Sequence, residues 1–126
     1  MKNHVEMFKS LGDKTRLRII RLVIDSGTEI CGCEFVDSLE ESQYNISRHI
    51  KVLKHAGLIK ERKEGRWVYY SVNDKKDSFK KILYKLIASI PKDIVKKDQK
   101  RFKKRLDIRV KGKCLLGIQN KRFAKT

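Results

Sequence analysis

The chain has one proline, Pro91, and three cysteines, Cys31, Cys33 and Cys114. An odd number of thiols cannot close completely into intrachain disulfides. That excludes a disulfide scaffold and leaves the sulfurs as candidates for ligation in a reducing compartment. No apolar run approaches the roughly 18 residues that a membrane span needs, and the N-terminus lacks the apolar core of a signal peptide. A cytoplasmic protein with no membrane partner is expected. Acidic residues are scarce as well: 15 Asp and Glu stand against 32 Lys and Arg, a formal net charge of +17. A field of that sign favours a polyanion, nucleic acid first and an anionic membrane second. Residues 91–126 hold 14 of the bases and 3 of the acids, so the C-terminal part is the more basic. No nucleophile–base pair, phosphate loop or open metal site is visible, and an enzyme is not expected. At 126 residues the chain has the length of one domain.

What is present centres on Ser42 to Tyr70, SQYNISRHIKVLKHAGLIKERKEGRWVYY. Ile46, Ile50 and Leu53 recur at helical spacing, and Ala56-Gly57 closes the run. The other face carries Gln43, Tyr44, Asn45, Ser47, Arg48, Lys51 and Lys54. Amide, hydroxyl and guanidinium groups read base edges and phosphates, although an ordinary solvated helix shows the same pattern. After Gly57 the period changes to short β-prone runs, Leu58–Lys63 and Arg66–Ser71, joined through Glu64-Gly65 as a tight hairpin. This hairpin is a wing, with Arg62, Lys63 and Arg66 near its tip and within reach of a DNA backbone or minor groove. Trp67, Tyr69 and Tyr70 are expected to pack on the helices.

Upstream, Val5, Phe8 and Leu11 mark a short first helix. Asp13 then caps a second, with Leu17, Ile20 and Ile24 inward and Arg16, Arg18 and Arg21 on the solvated side. A third helix over about Ile30–Leu39 buries Ile30, Phe35, Val36 and Leu39. With the helix opened by Ser42 it forms a helix-turn-helix. Between Ser78 and Ile90, Phe79, Ile82, Leu83, Leu86, Ile87 and Ile90 make a broad apolar stripe that needs a partner, best supplied by a two-fold dimer. Beyond Pro91 the basic and apolar residues alternate loosely, with Ile94, Phe102, Leu106 and Ile108 able to dock one helix face. An isolated apolar patch, Cys114-Leu115-Leu116-Gly117-Ile118, follows Gly112. The fold class is therefore mainly α with a small β-hairpin wing, a winged helix-turn-helix dimeric through terminal helices. Residues 1–90 form the DNA-binding and dimerisation domain and residues 91–126 a basic C-terminal extension.

Four stretches in order carry a resemblance: FKSLGDKTRLRI from Phe8, EICGCEF from Glu29, SRHIKVL from Ser47 and GRWVYY from Gly65. Together they resemble the arsenic-responsive (ArsR/SmtB) family of repressors over about residues 5–90. The resemblance implies a homodimeric winged-helix repressor that sits on double-stranded operator DNA and leaves when an inducer binds. Zinc sites on the dimer helix of some members use Asp and His. Residues 78–111 offer Asp93, Asp98 and Asp107 but no histidine, and His49 and His55 lie in the reading helix, with His4 near the terminus expected to be solvated. The arsenic-type site is a pair or trio of cysteines around the start of the third helix, where Cys31 and Cys33 fall. Thiolates are soft donors suited to As(III) or Sb(III), while the bland alternative is two small buried residues.

Positions two apart on a helix point about 200° apart, so one ion holding both is expected to distort that first turn and disturb the reading helix. The position of a further cysteine in the same helix is taken by Phe35, Val36 and Asp37. Cys114 is the remaining thiol, and its apolar flanks suggest a tail that folds back to the pair in its own or the partner subunit. The alternatives are an inert buried Cys114, or a pair completed by a small cellular thiol. Two other functions compete with the metalloid-responsive repressor: a thiol redox-sensing repressor of the same fold, and a constitutive basic architectural DNA binder.

Overall fold

The computed structural model describes residues 1–73 and 76–119. The described residues form six helices and a small three-stranded antiparallel sheet: α1 (Lys2–Ser10), α2 (Lys14–Ser26), β1 (Ile30–Cys31), α3 (Gly32–Leu39), α4 (Gln43–His55), β2 (Ile59–Glu64), β3 (Trp67–Val72), α5 (Ser78–Ala88) and α6 (Lys92–Leu106). The helix starts follow local chemistry. Side-chain oxygens of Asp13, Ser42 and Asp77 accept from the backbone N–H three residues on, which satisfies donors that the helix leaves open. Gly27 ends α2 at φ +64, a conformation open to glycine at little steric cost.

The core is built from the apolar stripes of α2, α3, α4 and α5. Ile19, Ile20, Phe35, Leu39, Ile46, Leu53, Leu58 and Leu83 are all buried in one cluster. Burying side chains of this size stabilises by about 1.5–3 kcal/mol each. The α3–α4 pair turns at Glu40, which takes the left-handed conformation at φ +54.

The wing is antiparallel, with Glu64 opposite Trp67 and Gly65-Arg66 at the tip, one residue later than the sequence pattern suggests. Gly65 at φ +60 supplies the positive dihedral that the tight turn requires. Tyr70 packs on Phe35 of α3 as expected, whereas Tyr69 is buried in a small cluster with Cys31 and Cys114.

Three sequence expectations are corrected. Ile30 and Cys31 are not helical: they pair with Tyr70 and Tyr69 of β3, and α3 begins at Gly32. Arg18 and Arg21 do not take a solvated side. Arg21 is 2% exposed and donates to the carbonyls of Ile87 and Ile90 at the end of α5, while its Nε binds Asp25. Arg18 forks onto Asp98 of α6. His4 is half-buried, edge-on to Phe79 at 4.6 Å, and this contact seats α1 on α5.

The loose pattern after Pro91 is a helix whose inward face is largely ionic. From α6 and the turn after it, Arg101 binds Glu40, Arg105 binds Asp37 and Arg109 binds Glu34, so α6 runs antiparallel along α3. Phe102 docks as expected, but Ile94 is exposed.

Candidate DNA-reading face and thiol site

The period of α4 buries Ile46, His49, Ile50 and Leu53 and turns the remaining positions outward. Gln43, Tyr44, Ser47, Arg48, Lys51 and Lys54 are exposed and Asn45 is half-buried, all on the outer face. Of these, Lys54 pairs with Glu61 on the wing. His49 sits between two arginines, with Nδ1 3.3 Å from Arg16 Nη1 and Nε2 3.4 Å from Arg48 Nη2. Burial holds its pKa below the usual imidazole range, so the ring stays neutral beside two guanidinium groups.

On the wing, Lys63 and Arg66 are exposed, and Arg66 stacks on Trp67 at 4.7 Å. Arg62 is held elsewhere: it forks onto Glu29 and lies over the Tyr69 ring at 4.9 Å. Its charge is partly neutralised within the fold.

The three cysteines meet at the junction of β1, α3 and the segment after α6. Cys31 caps α3 in an extended conformation, φ −75 and ψ 149, so its side chain escapes the helical 100° step. The Cys31 and Cys33 sulfurs are consequently 3.4 Å apart. The expectation that one ion must distort the helix to hold both is overturned by this geometry. Cys114 of the same chain lies with its sulfur 3.1 Å from Cys33, and all three sulfurs fall within 4.8 Å of one another. Cys31 and Cys114 are buried and Cys33 is half-buried.

A shell of ion pairs positions these sulfurs. Glu34 accepts the Cys31 N–H and a fork from Arg109, which also reaches the Glu29 carbonyl. Arg105, fully buried, donates from Nε to Asp37 at 2.7 Å and directs Nη2 toward Cys33 (3.5 Å) and Cys114 (3.8 Å). The same Nη2 holds the carbonyls of Leu116 and Gly117, and Asp37 accepts the Gln119 N–H. The Tyr69 hydroxyl accepts the Cys114 N–H. Residues 114–119 are thereby strapped along α3 from Cys33 to Asp37.

Hydrogen bonds from Cys114 and then Cys33 pull the Cys31 thiol well below its ordinary range, while hydrogen bonds with Cys114 and then Cys31, together with burial, push Cys33 upward. Sulfur acts as nucleophile and ligand in its thiolate form, which the lowered Cys31 pKa favours. A groove of about 360 Å³ connects the site to the reading face; its lining includes Cys31, Cys33, Gln43, Ser47, Arg66 and Trp67.

Sequence reasoning did not single out Arg105, Arg109, Glu34 or the Tyr69 hydroxyl. Their partners are far away in the chain, 75 residues in the case of Arg109 and Glu34, and no local period signals such pairs.

Residues 13–61 match the profile described as bacterial regulatory protein, arsR family. An uncharacterized HTH-type transcriptional regulator of Methanocaldococcus jannaschii is 44% identical over 78 residues, 62% of this chain and 84% of that protein. The chain belongs to the ArsR family. The arsenical resistance operon repressor of Escherichia coli is 42% identical over 69 residues, 55% of this chain and 58% of that protein. The Bacillus subtilis arsenical resistance operon repressor is 34% identical over 74 residues, 59% of this chain and 70% of that one. Among solved structures, HlyU from Vibrio cholerae superposes with a TM-score of 0.57 at 28% identity, covering 68% of this chain and 91% of that one. This ArsR-family chain is thus a winged helix-turn-helix transcription regulator. Among the described residues, no helix is long and apolar enough to cross a membrane. The part matched by the family profile contains Cys31, Cys33 and α4, and Cys114 lies outside it.

Proposed function

We propose that this protein is a homodimeric repressor that releases its operator when As(III) or Sb(III) is captured by Cys31, Cys33 and Cys114 of one chain. The observation that carries the reading is the convergence of three sulfurs within 4.8 Å, one of them brought from far down the chain. Soft thiolates select thiophilic ions. The step balances without redox change: arsenous acid, As(OH)3, exchanges its three hydroxyls for three thiol sulfurs and releases three waters. The product is neutral, which suits a buried site whose arginines, Arg105 and Arg109, are already matched by Asp37 and Glu34. A divalent metal on three thiolates leaves a net negative charge there. Names of the Escherichia coli and Bacillus subtilis relatives as arsenical resistance operon repressors support the same inducer class.

Cys31 belongs to the strand that pairs with the wing root, Cys33 to the helix that supports α4, and Cys114 to the strap. An ion held by all three is thereby coupled to the position of α3 relative to the wing across the connecting groove. A 100-fold loss of operator affinity requires the ion to favour the free form by about 2.7 kcal/mol. In a mobility-shift titration on the protein's own promoter, arsenite is expected to release the wild type; no release at any arsenite concentration overturns the inducer assignment.

Readout is assigned to Gln43, Tyr44, Asn45, Ser47, Arg48, Lys51 and Lys54 on α4 and to Lys63 and Arg66 on the wing, with Arg62 contributing once Glu29 lets it go. Arg48→Ala is expected to weaken operator binding about 5–150-fold, from the 1–3 kcal/mol of one good base contact. Arg122→Ala, outside the described residues, serves as the control with a smaller effect. Equal weakening in a fluorescence-anisotropy titration counts against this placement.

The dimer surface is assigned to α1 and α5, where Phe8 (56% exposed), Ile82 (68%) and Leu86 (62%) leave a large apolar face in water. Leu86→Glu is expected to give monomers in analytical ultracentrifugation and to lose operator binding. A dimer that survives this change places the interface elsewhere.

A second reading draws on the 3.1 Å separation of the Cys33 and Cys114 sulfurs. A peroxide-class oxidant takes two electrons from these thiols, joins the sulfurs and leaves two waters. Release of the wild type by peroxide but not by arsenite under reducing conditions favours that reading.

A further inference from the structure

Helix α6 sorts its basic residues by type. Arg101 and Arg105 face inward and are bound to carboxylates; Asp98, the acid in the middle of the helix, is also turned inward, to Arg18 and Arg101. The lysines go the other way. At about 100° per residue, Lys92, Lys96, Lys97, Lys100, Lys103 and Lys104 fall within an arc of about 140° opposite the docked face. Asp93 is the one acid of the helix that shares this arc. Five of the lysines are exposed and Lys104 is half-exposed, and none has a carboxylate partner among the described residues. The acids that the rest of the fold presents to α6, namely Glu34, Asp37, Glu40 and Asp25, are already taken by Arg109, Arg105, Arg101 and Arg21. The lysine face keeps a large positive excess, and it contains like-charge pairs four residues apart at 92/96, 96/100 and 100/104, each of which destabilises a helix. A face that works against its own helix is stabilised by a polyanion.

We propose that this lysine face is a second DNA-binding surface, one that grips phosphates flanking the operator without reading sequence. The inference rests on the regulator binding DNA through α4 and goes beyond it, because α6 lies outside the residues matched by the family profile. Two observations place helix α6 close to the helix-turn-helix that meets the duplex. α6 lies along α3, the first helix of the helix-turn-helix, and that helix crosses the DNA backbone in this motif. Arg101 also ties α6 to Glu40 at the turn leading into the reading helix. From Lys92 to Lys104 the charges span about 18 Å of axis, roughly half a turn of duplex. Lysine is a point charge on a flexible stem, suited to phosphate and carrying no base code, whereas the arginines are spent on planar carboxylate pairs.

The test compares wild type with the full-length variant Lys96→Gln/Lys97→Gln/Lys100→Gln/Lys103→Gln. Affinity is measured across a salt series on a long promoter duplex and on a short duplex limited to the operator. Each phosphate that the protein no longer neutralises reduces the slope of log affinity against log salt by about 0.9. The expected result is a slope on the long duplex lower by about 2 or more, with little change on the short one. Preference for the operator over a scrambled duplex should be unchanged, and thermal unfolding should show the variant at least as stable as wild type. Equal slopes on the long duplex overturn the inference and leave the reading of α4 intact. A wild type that prefers no duplex overturns that reading instead. A drop of the same size on both duplexes also overturns the inference, since it places the lysines over the operator itself.

Discussion

Cys33→Ser is expected to abolish arsenite-induced release, moving the arsenite concentration for half-release up by 100-fold or more while leaving operator binding near wild type. Cys33 is the central sulfur, 3.4 Å from Cys31 and 3.1 Å from Cys114, and its removal leaves two donors with no sulfur between them. A hydroxyl oxygen is a hard donor and a poor replacement for a thiolate on a thiophilic ion. Cys114→Ser and Cys31→Ser should each shift the response by at least 10-fold. The Cys31 change is structurally mild, because serine is a good N-cap and Cys31 already accepts the Glu34 N–H at the start of α3. All three variants should therefore fold and bind the operator. If all three release DNA at the wild-type arsenite concentration, the three-thiol site is wrong; if only Cys114→Ser does, the pair acts without the strap.

The second large effect is expected from Arg105→Met. It leaves Asp37, fully buried, facing only the Gln119 N–H. Removing one partner of a buried ion pair costs about 3–5 kcal/mol, because the remaining charge stays out of water. Burial already raises the Asp37 pKa and the Arg105 hydrogen bond opposes that rise. Without Arg105 the carboxyl moves further up. A carboxyl whose pKa is raised on folding contributes stability below its unfolded value and loses it as pH rises through the folded one. The variant should therefore be destabilised most near neutrality and should recover part of the deficit in mildly acidic buffer. Adding Asp37→Leu, which replaces the pair by apolar volume, should restore at least half of the deficit. Urea unfolding at two pH values measures all of this. A single variant as stable as wild type would show that the strap is not held by this pair.

The helix-turn-helix and wing were legible because α2, α4 and the hairpin follow one period each, and the caps Asp13 and Ser42 are local. Three features were not. The two-residue strand of Cys31 exists by pairing with Tyr69, 38 positions away, and residues that far apart leave no mark on a local period. Arg21 sits on what periodicity calls the polar side of α2, yet α5 lands there and supplies the carbonyls that bind it. Helix α6 hid because ion pairs replace much of the apolar stripe, so its inward face reads as polar. In the thiol site, the donors were identifiable by residue type and the isolated apolar flanks of Cys114. Their arrangement was not, since it depends on Cys31 standing just outside the helix.

The strap also bears on how such a regulator changes over generations. The reading helix and two sulfurs lie inside residues 13–61, whereas the third sulfur is held by Tyr69, Arg105 and a segment near the end of the chain. Under the proposed function, substitutions in residues 107–119 retune which ion is sensed, or silence sensing, while the residues assigned to base contacts stay unchanged. Under the proposed function, deletion of that segment turns an inducible repressor into a permanent one in a single step, with its operator unchanged.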